Sequence, residues 1–213
     1  STSNKIVVQA VCKPGDIVIV DRNCHKSHHY GFVLAGAQPY YVEAFPLTQY
    51  SMYGAVPLRT IKKALLDCMA EGKLDRVKAI DMTNCTFDGH MYNPRKVMEE
   101  CLAIKPDLVF LWDEAWFAFA AFHPVTRRRT AIASAKHLEE KFKTSAHAAA
   151  YAEQQKRLFD SEGNPAPDEV WLGERLVPSP EARLRVYATQ STHKTLTSLR
   201  QGSMIHVYDQ DWV

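Results

Sequence analysis

The chain has 213 residues, of which 46% are hydrophobic and 23% are charged, as in an ordinary globular domain with its own core. Its formal net charge of +2 is too small to indicate a nucleic-acid partner, and its one basic cluster, residues 127–129, is typical of a solvated loop. The most apolar stretch, residues 108–122, is too short for a membrane span and carries two acidic side chains.

Residues 1–112 alternate between patterns typical of helices and of strands. We predict helices over residues 1–12, 25–35, 60–71 and 94–104, the last with a proline in its first turn. We predict strands over residues 17–21 (IVIVD), 40–44 (YYVEA), 77–82 (VKAIDM) and 108–112 (LVFLW). Repeated strand–helix units joined by short links predict an α/β fold, with a mostly parallel sheet and helices on both faces.

This alternation stops after residue 129. Residues 130–160 are rich in alanine, lysine, glutamate and glutamine, which predicts one or two exposed helices. Residues 161–180 are rich in glycine, proline and charge, which predicts a loop. Strand patterns resume at residues 184–188 (LRVYA) and 203–208 (SMIHVY).

Three polar segments follow predicted strands: DRNCHKS at residues 21–27, DEAW at residues 113–116 and TQSTHK at residues 189–194. In an open α/β sheet, ligands bind beyond the carboxyl ends of the strands, so we expect these segments to meet at one cleft. The first helix opens with Ser1, Thr2 and Ser3, whose hydroxyls and free backbone N–H groups are suited to hold a phosphate.

Each of these features, taken alone, also has an ordinary structural explanation. Asp113 can cap the next helix, and His25 can be a polar loop residue with satisfied hydrogen bonds. Trp116 and the phenylalanines that follow it fit a core, and a lysine flanked like Lys194 is usually on the surface. The GxGxxG, P-loop and GxSxG motifs are absent, which leaves nucleotide-binding and serine-hydrolase hypotheses without support.

The combination of segments is more specific than any one of them. In chain order, STSNKIV, DRNCHKS, DxAW and TQSTHKTL followed by GSMIHV resemble the bacterial ornithine/lysine/arginine decarboxylase family, whose members are fold-type-I pyridoxal-phosphate enzymes. The resemblance covers residues 1–124 and 184–208. It implies that residues 1–213 form the large cofactor-binding domain, truncated at both ends, with a helical and loop insertion at about residues 127–182.

The resemblance also implies roles for single residues toward pyridoxal 5'-phosphate. Lys194 would hold the cofactor as a Schiff base, Asp113 would pair with the pyridine nitrogen, and His25 would stack on the ring. Trp116 would pack beside the ring. Three residues would lie at or near the phosphate: Ser1, Ser191 and His193.

The expected chemistry requires these residue types. A carboxylate at the ring nitrogen stabilises the pyridinium, which makes the ring an electron sink for the carbanion left by loss of CO₂. A lysine near a cation and partly desolvated loses its proton more easily and can attack a carbonyl carbon. His193, beside Lys194, could carry a proton to that carbanion, as could the released lysine.

The predicted function is decarboxylation of lysine, ornithine or arginine, and the sequence leaves the choice among these substrates open. An alternative keeps the cofactor fold but assigns another role, as a transaminase, a lyase or a non-catalytic regulatory or binding protein. A cofactor-free α/β domain is a third, weaker possibility. The resemblance implies a homodimer or larger homo-oligomer, and we expect the chain to be a piece of a longer protein.

The cysteines predict the compartment. The chain has five cysteines and no CxxC pair, which argues against a disulfide framework and against a zinc site. We therefore expect reduced thiols, no metal and a cytoplasmic protein.

Overall fold

The structure, a computed structural model, describes residues 2–199 and 201–212. The strands are β1 (Ile17–Asp21), β2 (Gln38–Val42), β3 (Pro46–Leu47), β4 (Met52–Tyr53), β5 (Val77–Thr83), β6 (Val109–Asp113), β7 (Arg185–Ser191) and β8 (Ser203–Asp209). The helices are α1 (Thr2–Val11), α2 (Lys26–Ala35), α3 (Leu58–Ala70), α4 (Pro94–Ile104), α5 (Pro124–Arg127), α6 (Ala131–Phe142), α7 (Ser145–Leu158), α8 (Asp168–Gly173) and α9 (Thr192–Thr195). No helix within the described ranges is long and apolar enough to cross a lipid bilayer.

The main sheet has six strands in the order β2-β1-β5-β6-β7-β8. Every neighbouring pair is parallel except β7 and β8, which run antiparallel from Arg185–Asp209 at one end to Ser191–Ser203 at the other. Strands β3 and β4 form a separate two-stranded sheet. The prediction of a mostly parallel sheet is confirmed.

Helices cover both faces of the main sheet, so the core has two parts. On β6, Phe110 and Trp112 join the larger cluster, which is packed with residues of α3, α4 and α6. Val109 and Leu111 of the same strand join the smaller cluster, with residues of α1 and α2. Because successive side chains of a strand point to opposite faces and both faces are covered, all five residues of β6 are buried.

Strand β2 begins two residues earlier than the sequence predicts. Gly36 ends α2 in the left-handed conformation with φ of 67°, and its N–H bonds back to the last turn of the helix. The chain enters the strand at once, because the Gln38 N–H donates to the carbonyl of Asp16. Gln38 and Pro39 are not typical strand residues, so the sequence did not indicate that β2 begins there. The proline is tolerated because β2 is an edge strand.

The prediction of exposed helices followed by a loop at residues 130–180 is wrong in two respects. Helix α6 buries one face against the larger cluster, through residues at helical spacing: Ala131, Ala135, Leu138 and Phe142. The predicted loop contains α8, whose Trp171 is buried. Lys62 on α3 donates to the carbonyls of Trp171 and Glu174, at 2.8 and 2.9 Å. The segment therefore packs as part of the same core.

Candidate active site

The carboxyl ends of β1, β5, β6 and β7 meet at one edge of the sheet, beside two adjoining cavities. The smaller, of about 160 Å³, lies between the start of α1 and the turn after β7. The larger, of about 410 Å³, lies between the ends of β1 and β5 and the segment after β6. His25, Asp113 and Lys194 line both cavities. The predicted convergence of the three polar segments is therefore what the structure shows.

Asp113 is the last residue of β6 and is nearly completely buried. Its Oδ2 accepts hydrogen bonds from His28 Nε2 at 2.9 Å and from Asn4 Nδ2 at 3.0 Å, and its Oδ1 accepts the Ala115 N–H at 3.0 Å. Burial alone would raise the pKa of Asp113, but the hydrogen bond and positive charge of His28, with those two other donors, lower it to about 2. The cavities therefore share an ionised carboxylate.

His28 lies behind this carboxylate, with no exposed surface. Its Nδ1 is 2.6 Å from Oδ2 of Asp81, a residue of β5, and its Nε2 faces Asp113. Burial opposes the charged form, but the charge of Asp81 and the hydrogen bonds to both carboxylates raise the pKa of His28 to about 10. An imidazolium between two aspartates thus lies beneath the floor of the site.

Lys194 lies on the short helix α9, directly after β7. Its Nζ is 4.8 Å from the centroid of the Trp116 ring, so the amine lies over an aromatic face in the larger cavity. The turn that carries it is fixed by the Thr192 N–H, which donates to the carbonyl of Gly202 at 3.0 Å. A Cβ at Gly202 would collide with the Thr192 hydroxyl, so a larger residue there requires the Thr192 side chain or the turn to move.

His25 caps the N-terminus of α2 and presents an exposed ring to the cavities. Its Nδ1 accepts the Ser27 backbone N–H at 3.2 Å and lies 2.9 Å from the Ser27 hydroxyl. Nδ1 is therefore the unprotonated nitrogen, and burial lowers the pKa of His25. The ring is a neutral imidazole held in one orientation, with a face free for stacking.

Hydroxyl groups line the smaller cavity. The Ser3 and Ser203 hydroxyls are 2.5 Å apart and join α1 to the start of β8, and Ser191 ends β7 nearby. His193 also lines this cavity, and its Nδ1–H donates to the Gly202 carbonyl at 3.2 Å. Together with the free N–H groups of the first turn of α1, this end is suited to an anion such as a phosphate. Ser1 lies outside the described residues, so its predicted role stays a prediction.

The family assignment follows from comparison with known proteins. The sequence profile described as "Orn/Lys/Arg decarboxylase, major domain" matches residues 1–156. The chain belongs to the ornithine/lysine/arginine decarboxylase family. It is 30% identical to lysine decarboxylase LdcA of Pseudomonas aeruginosa, over 98% of this chain and 22% of that protein. It is 31% identical to the biodegradative arginine decarboxylase of Escherichia coli, over 97% of this chain and 22% of that protein.

The structure agrees with this assignment to the decarboxylase family. The solved structure of lysine decarboxylase A from Pseudomonas aeruginosa matches with a TM-score of 0.60 at 30% identity, covering 98% of this chain and 22% of the other. The match therefore extends beyond residue 156 to β7, α9 and β8, which carry Ser191, His193 and Lys194. The chain spans about a fifth of the length of these relatives.

Three buried residues of this family member's site were not predicted from the sequence: Asn4, His28 and Asp81. Asp81 gave one usable signal, since a carboxylate within the otherwise apolar VKAIDM strand needs a buried partner. His28 follows His25 by three residues, and nothing in the sequence distinguishes it from its neighbour His29. The role of Asn4 depends on the contact between α1 and β6, which no local pattern reveals.

Proposed function

We propose that this chain is the cofactor-binding part of a pyridoxal-phosphate-dependent decarboxylase of a basic amino acid: lysine, ornithine or arginine. The observation that carries the proposal is that His25, Asp113 and Lys194 line both of the adjoining cavities at one sheet edge. The curated relatives include lysine, arginine and ornithine decarboxylases, which supports the substrate class and leaves the three amino acids as equal candidates.

The residues of the site fit this cofactor. The ionised carboxylate of Asp113 can accept a hydrogen bond from a protonated ring nitrogen, and the neutral His25 ring offers a stacking face. The hydroxyls of the smaller cavity and the start of α1 can hold the phosphate. When bound, pyridoxal phosphate supplies the electron sink that stabilises negative charge at the α-carbon after CO₂ leaves.

The chain's own groups then position the reacting atoms and move protons. Lys194 supplies the amine that attaches the cofactor and, once released, can carry a proton at Nζ. His193 is the second candidate proton carrier; its Nδ1–H is engaged by the Gly202 carbonyl, which leaves Nε2 for exchange. Trp116 lines the larger cavity beside the amine, so its ring would pack against the bound cofactor on that side.

The test is product analysis with the full-length protein. Incubation with lysine, ornithine and arginine, each with pyridoxal phosphate, is expected to release CO₂ and the matching amine from at least one. Lys194→Ala should abolish release, and Lys26→Ala, which changes a lysine outside both cavities, should not. Formation of a keto acid without CO₂ would show a transaminase instead, and no turnover of any of the three would favour a non-catalytic relative.

The proposal extends to the whole protein in two respects: it acts in the cytoplasm and it assembles as a homodimer or larger homo-oligomer. Light scattering of the full-length protein measures the second directly. A monomeric mass at micromolar concentration would contradict it.

A further inference from the structure

Three ionisable side chains are buried in line behind the cavity floor. Asp81, His28 and Asp113 are exposed by 1%, 0% and 4%, and their contacts join β5, α2 and β6. A buried ion pair is weak evidence for stability, because desolvating the charges costs about as much as their attraction returns. Stability alone therefore does not explain why these charges are buried together. Asp113, at one end of the row, faces the cavities.

Hydrogen-bond accounting assigns the protons. The Thr189 hydroxyl donates to Asn4 Oδ1 at 2.5 Å, which fixes the orientation of the Asn4 amide. The two hydrogens on Asn4 Nδ2 then match two acceptors, the Ser27 hydroxyl and Asp113 Oδ2, both at 3.0 Å. Asn4 has no hydrogen left for His28 Nε2, although the two nitrogens are 2.9 Å apart. His28 Nε2 also lies 2.9 Å from Asp113 Oδ2, an ionised oxygen that only accepts, so Nε2 carries a hydrogen and donates it to Asp113.

The other ring nitrogen also carries a hydrogen. His28 Nδ1 lies 2.6 Å from Asp81 Oδ2. Burial raises the pKa of Asp81, but the charge and the hydrogen bond of His28 favour its ionised form, so we assign the hydrogen of this contact to Nδ1, with the Asp81 carboxylate as acceptor. With both nitrogens donating, His28 is a cation. Other titratable groups of the described residues also interact electrostatically with these three side chains. His29, Asp21 and Cys12 act on Asp81, His25 acts on Asp113 and His28, Glu114 acts on Asp113, and Cys24 acts on both aspartates. None of these replaces the two direct contacts.

We propose that His28, held by Asp81, is a positioning residue that keeps the Asp113 carboxylate ionised and directed into the cavity. His28 touches neither cavity, so it acts through Asp113. The fixed positive charge stabilises the anionic form that a protonated ring nitrogen needs as its partner. This inference rests on the proposed function only for the identity of the group that Asp113 faces, the ring nitrogen of the cofactor.

The first experiment needs no cofactor. In the apoprotein, the ¹³Cγ signal of Asp113 is followed by NMR from pH 7 to pH 3. Wild type should stay ionised to the lower limit, whereas His28→Gln, which keeps a donor and removes the charge, should raise the midpoint by about 1–3 pH units. His29→Gln is the matched control, since His29 contacts Tyr41 and Cys24 instead, and it should leave the midpoint unchanged.

The second experiment uses two probes in the full-length protein: pyridoxal phosphate and its analogue with carbon in place of the ring nitrogen. His28→Gln should bind pyridoxal phosphate roughly tenfold more weakly than wild type does, a loss of about 1.4 kcal/mol. The analogue should bind wild type and variant equally, because it lacks the nitrogen that Asp113 meets. A general collapse of the site would weaken both probes alike, and that result would overturn the proposal.

Two outcomes separate this proposal from the proposed function. If wild type fails to bind pyridoxal phosphate, the proposed function fails, and the Asp113 titration still decides the role of His28. If His28→Gln does not fold, ¹⁵N NMR of wild-type His28 decides it. Two protonated ring nitrogens at pH 8 support the proposal, and one unprotonated nitrogen overturns it.

Discussion

Asn4 Nδ2 lies 3.0 Å from Asp113 Oδ2, so the first turn of α1 touches the carboxylate at the end of β6 across 109 residues of chain. The contact ties the element predicted to hold the phosphate to the one predicted to hold the ring nitrogen. It therefore links two ends of the candidate cofactor site through one buried amide.

Asn4→Asp replaces this amide with a second carboxylate beside Asp113. Repulsion and burial raise the pKa of the new acid above its unfolded value of about 3.9, so its cost grows as the pH rises above that value. We expect a loss of unfolding free energy of about 3 kcal/mol or more at pH 7 and a smaller loss at pH 4. Urea denaturation at both pH values measures it.

Gln9→Glu is the control for Asn4→Asp, because it makes the same amide-to-acid change on the exposed face of α1. It should change stability by less than about 0.5 kcal/mol at either pH. Equal losses for Asn4→Asp at pH 4 and pH 7 would contradict the assigned contact with an ionised Asp113.

Because His28 is protonated in the folded protein, we expect a loss of stability at alkaline pH. Its folded pKa, raised to about 10, exceeds the unfolded value of about 6.5, so its contribution is fully present below pH 6.5 and declines as the pH approaches 10. We expect the unfolding free energy of wild type to fall by a few kcal/mol across this window. His28→Gln should be less stable at pH 6 but show a flatter profile, and parallel profiles would contradict a cationic His28.

Much of the fold could be predicted because its signals are local. The runs IVIVD and LVFLW indicate strands buried on both faces, and β1 has the predicted bounds while β6 lies within one residue of them. The buried face of α6 could not be predicted from the alanine-rich composition of residues 130–160. That face is defined by its contacts with α4 and β7, which are distant in sequence.

Some residues of the candidate site could likewise be predicted from the sequence, and others could not. Asp113, His25 and Lys194 follow strands at the sheet edge and belong to recognisable segments, so the sequence predicted their convergence. The pairing of His28 with Asp81 could not be predicted, because it depends on which side of α2 meets β5 in three dimensions. The individual roles toward the cofactor stay predictions.

From the contacts of Lys62 we expect residues 127–182 to fold together with the rest of the chain. Its Nζ bonds to Glu100 Oε2 at 2.8 Å and to two carbonyls in and after α8. Lys62→Met leaves Glu100 buried without its partner, and we expect a loss of about 3–5 kcal/mol in unfolding free energy. Lys62→Met combined with Glu100→Leu should recover part of it. If α8 amides exchanged no faster in Lys62→Met, the segment would be independent of this contact.

A substitution at Gly202 is expected to change the position of Lys194. In Gly202→Ala the new methyl group collides with the Thr192 hydroxyl, two residues before Lys194, so the Thr192 side chain or the turn must shift. We expect roughly tenfold weaker binding of pyridoxal phosphate to the full-length protein, a change of about 1.4 kcal/mol. Gly173→Ala, where a Cβ meets nothing within 4 Å, is the control and should bind as wild type does. Unchanged binding in Gly202→Ala would show that the contact between Gly202 and the Thr192 side chain does not position the amine.

Lys194 is proposed as the residue to which the cofactor attaches, and borohydride reduction followed by peptide mass spectrometry tests this attachment. The full-length protein is incubated with pyridoxal phosphate, reduced and digested. We expect a stable cofactor adduct on the peptide that contains Lys194, lost in Lys194→Ala and retained in Lys26→Ala. An adduct that forms mainly on another lysine, or one that persists in Lys194→Ala at wild-type yield, would contradict it.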